Sequence, residues 1–269
     1  MEMRFGIYLK GGGAKGAFQA GVLCAFWQRG VEYSVVGGTS IGAVNGWYVL
    51  HGAYEELENL YMNMSEDYAD LTFSGKVIDH SFLMEQLKKV SGDRSEKIDA
   101  FYVNYAKVQD GQLIEITENI KDAEVDSAIE RIAWSSLLPY NHEPMSYQEF
   151  KTYAEKNDLS VKFNEDLSNK VYDGLHLDGG MINNNLIKQI FNHPSERTIV
   201  IGYNGTRDDY CKTIESLPVS NREQISYISA DEPFKISDTY NFSPEFLKKR
   251  FQEGYELGIH YPLIKLISR

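Results

Sequence analysis

Cysteines and long apolar runs are scarce in this sequence of 269 residues. The two cysteines, Cys24 and Cys211, lie far apart and form no CxxC pair. We therefore expect no disulfide framework or cysteine-based zinc site, which fits a reducing compartment. No stretch reaches the roughly 20 apolar residues that a membrane-spanning helix requires. Only a short apolar run precedes Lys10, so no signal peptide is predicted and a cytoplasmic location is expected.

Positive charge is also in short supply. The chain has 27 Lys and Arg against 39 Asp and Glu, which gives a formal net charge of −12. A nucleic-acid-binding protein needs a basic face, so nucleic acid is not an expected partner. The same acidity disfavours long-range attraction to anionic membranes, so we expect at most a transient contact with a membrane surface.

What the sequence does contain is typical of a globular α/β domain. Hydrophobic residues make up 42% and charged residues 25%, and the chain is long enough to bury a sizeable core. Apolar strand-like runs alternate with segments of helical periodicity, and no repeat, low-complexity segment or linker is visible. We therefore predict one α/β domain over residues 1–269, with a helical and hairpin insertion at about 54–135.

The individual elements are predicted from apolar spacing and turn residues. Asp110-Gly111 indicates a hairpin, Asp173-Gly174 is expected to separate two short strands ending at Leu177, and Ser243-Pro244 predicts the start of the last helix. The remaining strands are expected at 5–10, 33–37, 101–108, 113–117, 198–203 and 225–229, and helices at about 16–28, 42–50, 54–64, 80–90 and 123–134.

The first motif with chemical meaning is the GxSxG sequence from Gly38 to Gly42, which has Ser40 at its centre. A nucleophile elbow needs this spacing, because a Cβ atom at either flanking position would collide with the neighbouring backbone. A strand precedes the motif and a helix-compatible segment follows it, as an elbow requires. The alternative is a glycine-rich turn in which Ser40 only caps the helix.

The second motif is the glycine loop Gly11-Gly12-Gly13-Ala-Lys15-Gly16, which lies between a strand and a helix. It also matches the dinucleotide-binding pattern, and Glu32 lies near the distance expected for a ribose-binding acid. However, Glu32 precedes the second strand, whereas that acid belongs at the strand's carboxyl end. Backbone N–H groups of such a loop can instead bind an anion, and beside a nucleophilic serine they would form an oxyanion hole.

The third motif is Asp178-Gly179-Gly180, at the end of a short predicted strand. A carboxylate followed by two glycines suggests a side chain held at a site with backbone close by. A plain turn is the alternative. The similar Asp173-Gly174 pair, a few residues earlier, is assigned to the hairpin.

These three motifs, in this order, resemble the pattern of the patatin-like phospholipase family. That pattern is a G-G-G-x-R/K-G loop near the N-terminus, then G-x-S-x-G, then D-G-G or D-G-A. The segment Ser135–Pro139 and the Gly254-Tyr255 pair are similar to further parts of the family sequence. Lys15 stands where Arg is commoner, which keeps the charge but loses the planar fork of the guanidinium.

The resemblance implies a three-layer α/β/α fold with a mostly parallel sheet, and hydrolysis of lipid or other acyl esters without metal or cofactor. It implies a Ser–Asp dyad in which Ser40 is the nucleophile and Asp178 the general base. The implied oxyanion hole comprises the loop residues Gly11, Gly12 and Gly13 together with Ile41, while Lys15, Gly16, Gly38, Gly42, Gly179 and Gly180 complete the motifs.

Three alternatives remain open on the sequence alone. A Ser–Asp–His triad could recruit His193 or His260, because histidine is better matched than a carboxylate to the task of a general base. The same acyl-serine could serve an acyltransferase, in which an alcohol or thiol replaces water. Finally, the glycine loop could belong to a dinucleotide-binding module.

Overall fold

A central sheet organises the molecule. The computed structural model describes residues 4–64, 72–73, 75–203 and 217–263, together with positions 211, 214 and 215. The strands are β1 (Arg4–Leu9), β2 (Glu32–Thr39), β3 (Thr72–Phe73), β4 (Ala100–Gln109), β5 (Gln112–Asn119), β6 (Met145–Ser146), β7 (His176–Asp178), β8 (Arg197–Ile201) and β9 (Ile225–Ile228).

Seven of these strands form one mixed sheet, in the order β5-β4-β2-β1-β8-β9, with β7 also paired to β4. Strands β4, β2, β1, β8 and β9 are mutually parallel, whereas β5 and β7 run antiparallel to β4. The parallel strands are buried almost throughout, as expected for strands covered on both faces. The short strands β3 and β6 pair with each other outside this sheet.

Helices cover both faces of the sheet. They are α1 (Gly16–Gln28), α2 (Ile41–His51), α3 (Tyr54–Met62), α4 (Ser81–Lys88), α5 (Val125–Ser135), α6 (Tyr147–Lys156), α7 (Leu159–Ser168), α8 (Ile187–Ile190), α9 (Val219–Arg222) and α10 (Pro244–His260). The larger apolar core joins α1, α2, α3 and α10 to one face, and a smaller cluster packs α8 on the other. The predicted three-layer α/β/α architecture is therefore confirmed.

Two long helices of the larger layer, α1 and α10, pack with their backbones nearly in contact. A Cβ added at Gly254 would lie 1.9 Å from the carbonyl oxygen of Phe18, so no other residue fits this position without displacing a helix. This contact explains why glycine precedes Tyr255. The helix begins near the predicted Ser243, although the Ser243 hydroxyl bonds to the Asn241 side chain rather than capping the helix.

Residues 54–135 do not form the predicted insertion. They provide β4 and β5, which extend the central sheet beside β2, and helix α3, which packs in the main core. The predicted hairpin around Asp110-Gly111 is confirmed, because β4 and β5 pair antiparallel on either side of it. The parallel pairing of β4 with β2 is a long-range contact, so no local sequence pattern specifies it.

The Asp173-Gly174 pair also differs from its predicted role. The short strand β7 comes directly after it as expected, but the residues before it form turns after α7 instead of a strand. The carboxylate of Asp173 accepts hydrogen bonds from the amides of Asp110 and Gly111, at 3.1 and 2.9 Å. Asp173 therefore stabilises the β4–β5 turn from a distant part of the chain.

Within the part of the chain that the structure describes, no helix combines the length and apolar character needed to cross a membrane.

Candidate active site

Strand register brings Ser40 and Asp178 together, although they are far apart in sequence. Strand β2 runs parallel to β4 and its last residue, Thr39, pairs with Asn104. Strand β7 approaches the same edge of β4 from the opposite direction, and its last residue, Asp178, pairs with Tyr105. The carboxyl ends of β2 and β7 therefore meet head-on at two successive positions of β4.

The backbone at Ser40 has the geometry of a tight strand-to-helix elbow. Its φ and ψ angles are 57° and −126°, a conformation that costs energy for a residue with a side chain. A Cβ at Gly42 would lie 2.0 Å from the carbonyl oxygen of Leu9, so the helix can start this close to β1 only with glycine there. The elbow directs the Ser40 side chain towards a cleft, just ahead of α2.

The Ser40 hydroxyl and the Asp178 carboxylate are directly hydrogen-bonded. The Ser40 Oγ atom donates to Asp178 Oδ2 at 2.5 Å, and the other carboxylate oxygen accepts from the Gly180 amide at 2.7 Å. The side chains are almost fully buried, with 6% of Ser40 and 3% of Asp178 exposed. The D-G-G turn thus orients the carboxylate so that one oxygen faces the serine.

The pKa of Asp178 is raised to about 6. Burial is the main cause, because it disfavours the charged form, and the hydrogen bonds from Ser40 and Gly180 oppose this effect. A carboxylate with this pKa is a stronger base than an ordinary aspartate and is still ionised at neutral pH. Such a carboxylate can remove the proton of the Ser40 hydroxyl while the serine oxygen attacks an acyl carbon.

The two histidines of the alternative triad lie elsewhere. The His193 ring contacts the Tyr102 hydroxyl at 2.9 Å, and His260 is exposed in the last turn of α10. Among the described residues, the hydrogen-bond partners of the Asp178 carboxylate are Ser40 and Gly180. The geometry favours the dyad over a triad.

The glycine loop lies against Ser40, and its three glycines differ in what their amides do. A Cβ at Gly11 would lie 2.9 Å from that of Ser40. The Gly11 amide donates to Asn184 Oδ1 at 2.7 Å, and Asn184 Nδ2 returns a hydrogen bond to the Gly11 carbonyl at 3.0 Å. Gly11 therefore anchors the loop, and its N–H is not available to an oxyanion.

The amides of Gly12, Gly13 and Ile41 remain as candidates for an oxyanion hole. Over the described ranges, no protein group accepts a hydrogen bond from any of the three. Gly12 and Gly13 line the cleft beside Ser40, and Ile41 lines an adjoining slot. Unpartnered N–H groups around a serine hydroxyl can stabilise negative charge on a reacting carbonyl oxygen.

Lys15 and Gly16 have different surroundings. Lys15 lines the cleft, and its ammonium group lies 5.5 Å from the centre of the Tyr203 ring. Gly16 is buried beneath Ile41 and accepts a hydrogen bond from the Asn45 side chain. Gly38, Gly42 and Gly179 likewise permit close backbone packing, while the Gly180 amide serves Asp178.

Glu32 lies at the wrong end of the sheet for a dinucleotide. It begins β2, whereas the glycine loop follows the carboxyl end of β1, and its carboxylate pairs with Lys97 at 2.5 Å. A ribose bound beside the loop would have no acid from this position. The structure therefore does not favour the dinucleotide-binding alternative.

Sequence reasoning missed the role of Ser135. Its Oγ atom is fully buried and accepts a hydrogen bond from the Ser40 amide at 2.8 Å. Two residues later, the Leu137 carbonyl accepts from the Asp178 amide at 2.8 Å. The segment Ser135–Pro139 therefore holds the backbone of both candidate catalytic residues, which the family resemblance of this segment did not reveal.

A polar network behind the site was also missed. The Thr39 hydroxyl donates to Asn104 Oδ1 at 2.8 Å, and Asn104 Nδ2 donates to the Asn183 carbonyl at 2.8 Å. Asn184 bonds to Gly11 and also accepts from the Tyr8 hydroxyl. The run of asparagines after the D-G-G turn is the one local signal that could have indicated these contacts.

Two cavities meet at Ser40. The larger is an open cleft of about 1020 Å³, which Asp178, the glycine loop and helices α6 and α7 line. The smaller is a narrow apolar slot of about 50 Å³. Its lining comprises Gly13, Ser40, Ile41, Phe73, Ile78, Asp79, His80, Leu83, Ser136, Leu138, Tyr147, Phe150, Tyr240 and Phe242.

The sequence also matches a known protein family. The family model described as patatin-like phospholipase matches residues 7–191, a range that contains all three motifs. The chain belongs to the patatin-like phospholipase family.

Individual proteins match this chain either over a short segment or at low sequence identity. Lysophospholipase nte1 of Aspergillus terreus is 51% identical over 41 residues, which is 15% of this chain and 3% of that protein. Among solved structures, VipD of Legionella pneumophila is 14% identical with a TM-score of 0.52, and the match covers 99% of this chain and 67% of VipD. ExoU, solved with SpcU from the type III secretion system of Pseudomonas aeruginosa, is 14% identical with a TM-score of 0.41. That match covers 95% of this chain and 52% of ExoU.

Proposed function

We propose that this protein is a serine acyl hydrolase of lipid esters, of the phospholipase A or lysophospholipase type. The observation that carries the proposal is the buried hydrogen bond between Ser40 Oγ and Asp178 Oδ2, at 2.5 Å. Family membership and the lysophospholipase relative favour a lipid ester as the substrate. We also propose that residues 1–269 act as a single patatin-like domain, since one central sheet organises the described residues.

In the first half of the reaction, Ser40 Oγ attacks the ester carbonyl carbon while Asp178 Oδ2 accepts the hydroxyl proton. The resulting oxyanion lies among the amides of Gly12, Gly13 and Ile41. When the tetrahedral intermediate collapses, the bond to the alcohol oxygen breaks and Asp178 returns the proton to that oxygen. The alcohol leaves, and the acyl group remains esterified to Ser40.

In the second half, a water molecule attacks the acyl-serine and Asp178 accepts one of its protons. Collapse of the second tetrahedral intermediate breaks the bond to Ser40 Oγ, and Asp178 returns the proton to that oxygen. A carboxylic acid leaves and the free enzyme is restored. The alcohol acceptor of an acyltransferase would enter at this point in place of water.

The two cavities are suited to the two parts of such an ester. The narrow slot beside Ser40 and Ile41 is lined mainly by apolar and aromatic side chains, and its volume of about 50 Å³ suits only the first carbons of an acyl chain. The larger cleft is lined by polar and charged groups as well, and it has room for the alcohol part of a lipid.

The direct test is to incubate the protein with a panel of phospholipids, lysophospholipids and neutral glycerides, and to identify the products by mass spectrometry. We expect free fatty acid from at least one phospholipid or lysophospholipid. A parallel series with added glycerol or another alcohol identifies acyl transfer, because a new ester then replaces the free acid. Failure to cleave any ester by protein of verified fold would contradict the proposal.

The Ser135→Ala variant should lower kcat about tenfold with little change in KM. Removing Oγ leaves the buried Ser40 amide without a partner, a change that costs about 1–3 kcal/mol and loosens the elbow. The measurement is steady-state hydrolysis of one ester, together with the rate at which a fluorophosphonate labels Ser40.

Two further variants separate positioning from general destabilisation. Ser135→Thr keeps an Oγ acceptor and should recover most of the lost kcat. Ser168→Ala removes an exposed hydroxyl on α7 that bonds to the Asn164 carbonyl, and it should leave both rates unchanged. A folded Ser135→Ala protein with normal kcat would show that the elbow does not need this hydrogen bond.

A further inference from the structure

A third cavity lies beside the narrow slot. It has a volume of about 580 Å³, and the exposed residues Lys76, Glu85 and Lys88 line it, so it opens to solvent. We call it the lateral cavity. Asp79 and His80 line both the slot and the lateral cavity. The two spaces are therefore neighbours, and they come together at these two residues.

A short antiparallel pairing of two chain segments separates the slot from the lateral cavity. The Ile78 amide donates to the Leu138 carbonyl at 2.9 Å, where the two segments pair. Successive side chains of an extended segment point to opposite sides, and Ile78 and Leu138 line the slot. Val77 and Leu137, the preceding residue of each segment, line the lateral cavity. The wall between the two spaces is thus a single layer of backbone.

His80 lies directly before α4, and its ring reaches across to α5. The ring Nε2–H donates to the Ala133 carbonyl at 3.0 Å. The Asp79 carboxylate instead accepts from the Ser81 amide at 2.8 Å, at the start of α4. The His80 ring is therefore the side chain that spans the place where the slot and the lateral cavity adjoin. Burial lowers the pKa of His80, so the ring is neutral at neutral pH and places no charge in the apolar slot.

The route from Ser40 to the lateral cavity passes this ring. Ser40 and Ile41 line the slot, and among the described residues it is Asp79 and His80 that line both spaces. The slot alone, at about 50 Å³, has room for the first carbons of an acyl chain. Further methylene groups would gain free energy by leaving water for the apolar side chains of the lateral cavity. The ring occupies the way to that surface.

We propose that His80 limits the length of the acyl chain that this site accepts, by closing the slot towards the lateral cavity. The inference rests on the proposed hydrolysis of lipid esters and refines it, because esters with a short acyl chain become the preferred substrates. The end of a longer chain must stay outside the slot, where it lacks the apolar contacts that the slot gives to the first carbons.

The test measures kcat/KM for p-nitrophenyl butyrate and p-nitrophenyl decanoate, with wild-type protein and with His80→Ser. Wild-type protein should prefer butyrate. His80→Ser should raise the ratio of the decanoate value to the butyrate value about tenfold or more, because further methylene groups become buried. Serine suits this position, since His80 is the N-cap residue of α4 and a serine hydroxyl can cap a helix. Comparing both proteins on the same two esters cancels the difference in ester solubility.

Two other variants separate the size of the ring from its loss as such. His80→Gln keeps a long side chain whose amide can donate to the Ala133 carbonyl, and it should keep the wild-type ratio. His51→Ser is the matched control. The His51 ring lies at the end of α2 and donates to the Gly92 carbonyl at 2.9 Å, and His51 belongs to the lining of neither space. This variant should also keep the wild-type ratio.

The outcomes distinguish this proposal from the proposed function. An unchanged ratio in folded His80→Ser would overturn the role of His80 and leave the hydrolase intact, because the acyl chain would then lie in the larger cleft. An equal rise with His51→Ser would also overturn it. If His80→Ser does not fold, His80→Asn gives the same measurement, since asparagine is smaller than histidine and also caps helices.

Binding of a fatty acid decides the matter without turnover. If wild-type protein cleaves no ester, the proposed function fails, and isothermal titration calorimetry with sodium decanoate then tests His80 alone. His80→Ser should bind decanoate about tenfold more tightly than wild-type protein does, for the same reason of methylene burial. Equal affinities in the two proteins would overturn the proposal.

Discussion

Replacement of Asp178 by asparagine is expected to lower kcat about 10³-fold and, at the same time, to stabilise the folded protein at pH 8. The loss follows because an amide cannot accept the Ser40 proton, and general-base catalysis typically contributes 10²–10⁴-fold. The side chain keeps its size, and an amide can still bond to both Ser40 and Gly180. The fold should therefore survive while the chemistry is lost.

The gain in stability follows from the raised pKa of Asp178, which is about 6 in the folded protein against an ordinary value of 3.8. The folded state thus binds the proton more tightly than the unfolded state does. Ionisation of the carboxyl therefore lowers the free energy of unfolding. The loss begins as pH rises above 3.8 and is complete above about pH 6. Asparagine removes a cost of about 1–3 kcal/mol at pH 8 and of almost nothing at pH 3.5.

Urea denaturation of both proteins at several pH values measures the gain in stability. The pH dependence of kcat/KM measures the role of Asp178 as a base. Wild-type activity should fall as pH drops below about 6, because the protonated carboxyl cannot act as a base. Asp173→Asn is the matched control, since it changes another Asp-Gly pair that is exposed at a turn, and it should retain activity. Residual turnover close to wild type in Asp178→Asn, or a folded but inactive His193→Ala, would favour the triad instead.

Ser40→Ala should reduce ester hydrolysis about 10⁴-fold or more, to near the background rate. The acyl group then has no oxygen to receive it, whereas the glycine loop and both cavities remain. Substrate binding should persist, and covalent labelling by a fluorophosphonate should disappear. Intact-mass spectrometry, with peptide mapping of the labelled wild type, checks both expectations.

Two companion variants make this result specific. Ser220→Ala removes an exposed serine on α9 and should be labelled and active like the wild type. Ser40→Gly should be as inactive as Ser40→Ala but more stable by about 1 kcal/mol, because glycine tolerates a φ of 57° without strain. Labelling of Ser40→Ala at the wild-type rate would place the reactive serine elsewhere.

The sequence predicted the parts of the site that local sterics dictate. The elbow needs glycine at positions 38 and 42 and the loop needs glycine beside Ser40, so both motifs are visible in the residues themselves. The α/β class also follows from local periodicity. The pairing of Ser40 with Asp178 came only from the family resemblance, because the register of β7 on β4 is a long-range contact.

Other features could not be predicted, for a related reason. Ser135, Leu137 and Asn184 act through single hydrogen bonds to residues distant in sequence, which leave no periodic pattern. The Gly11 amide cannot be distinguished in the sequence from those of Gly12 and Gly13, because its bond to Asn184 joins residues far apart in the chain. Helices α6 and α7 were not predicted at all, although Ser146 and Glu149 form a capping box at the start of α6.

The adjacency of Asn104 and Tyr105 on β4 has a consequence for biosynthesis. A ribosome completes the elbow early, but the carboxylate that activates it emerges much later and must dock beside Thr39 on the same strand edge. Nascent chains that stop before β7 therefore carry the serine in an unreactive form. Esterase activity is therefore expected only from chains that extend past β7 and have paired it with β4.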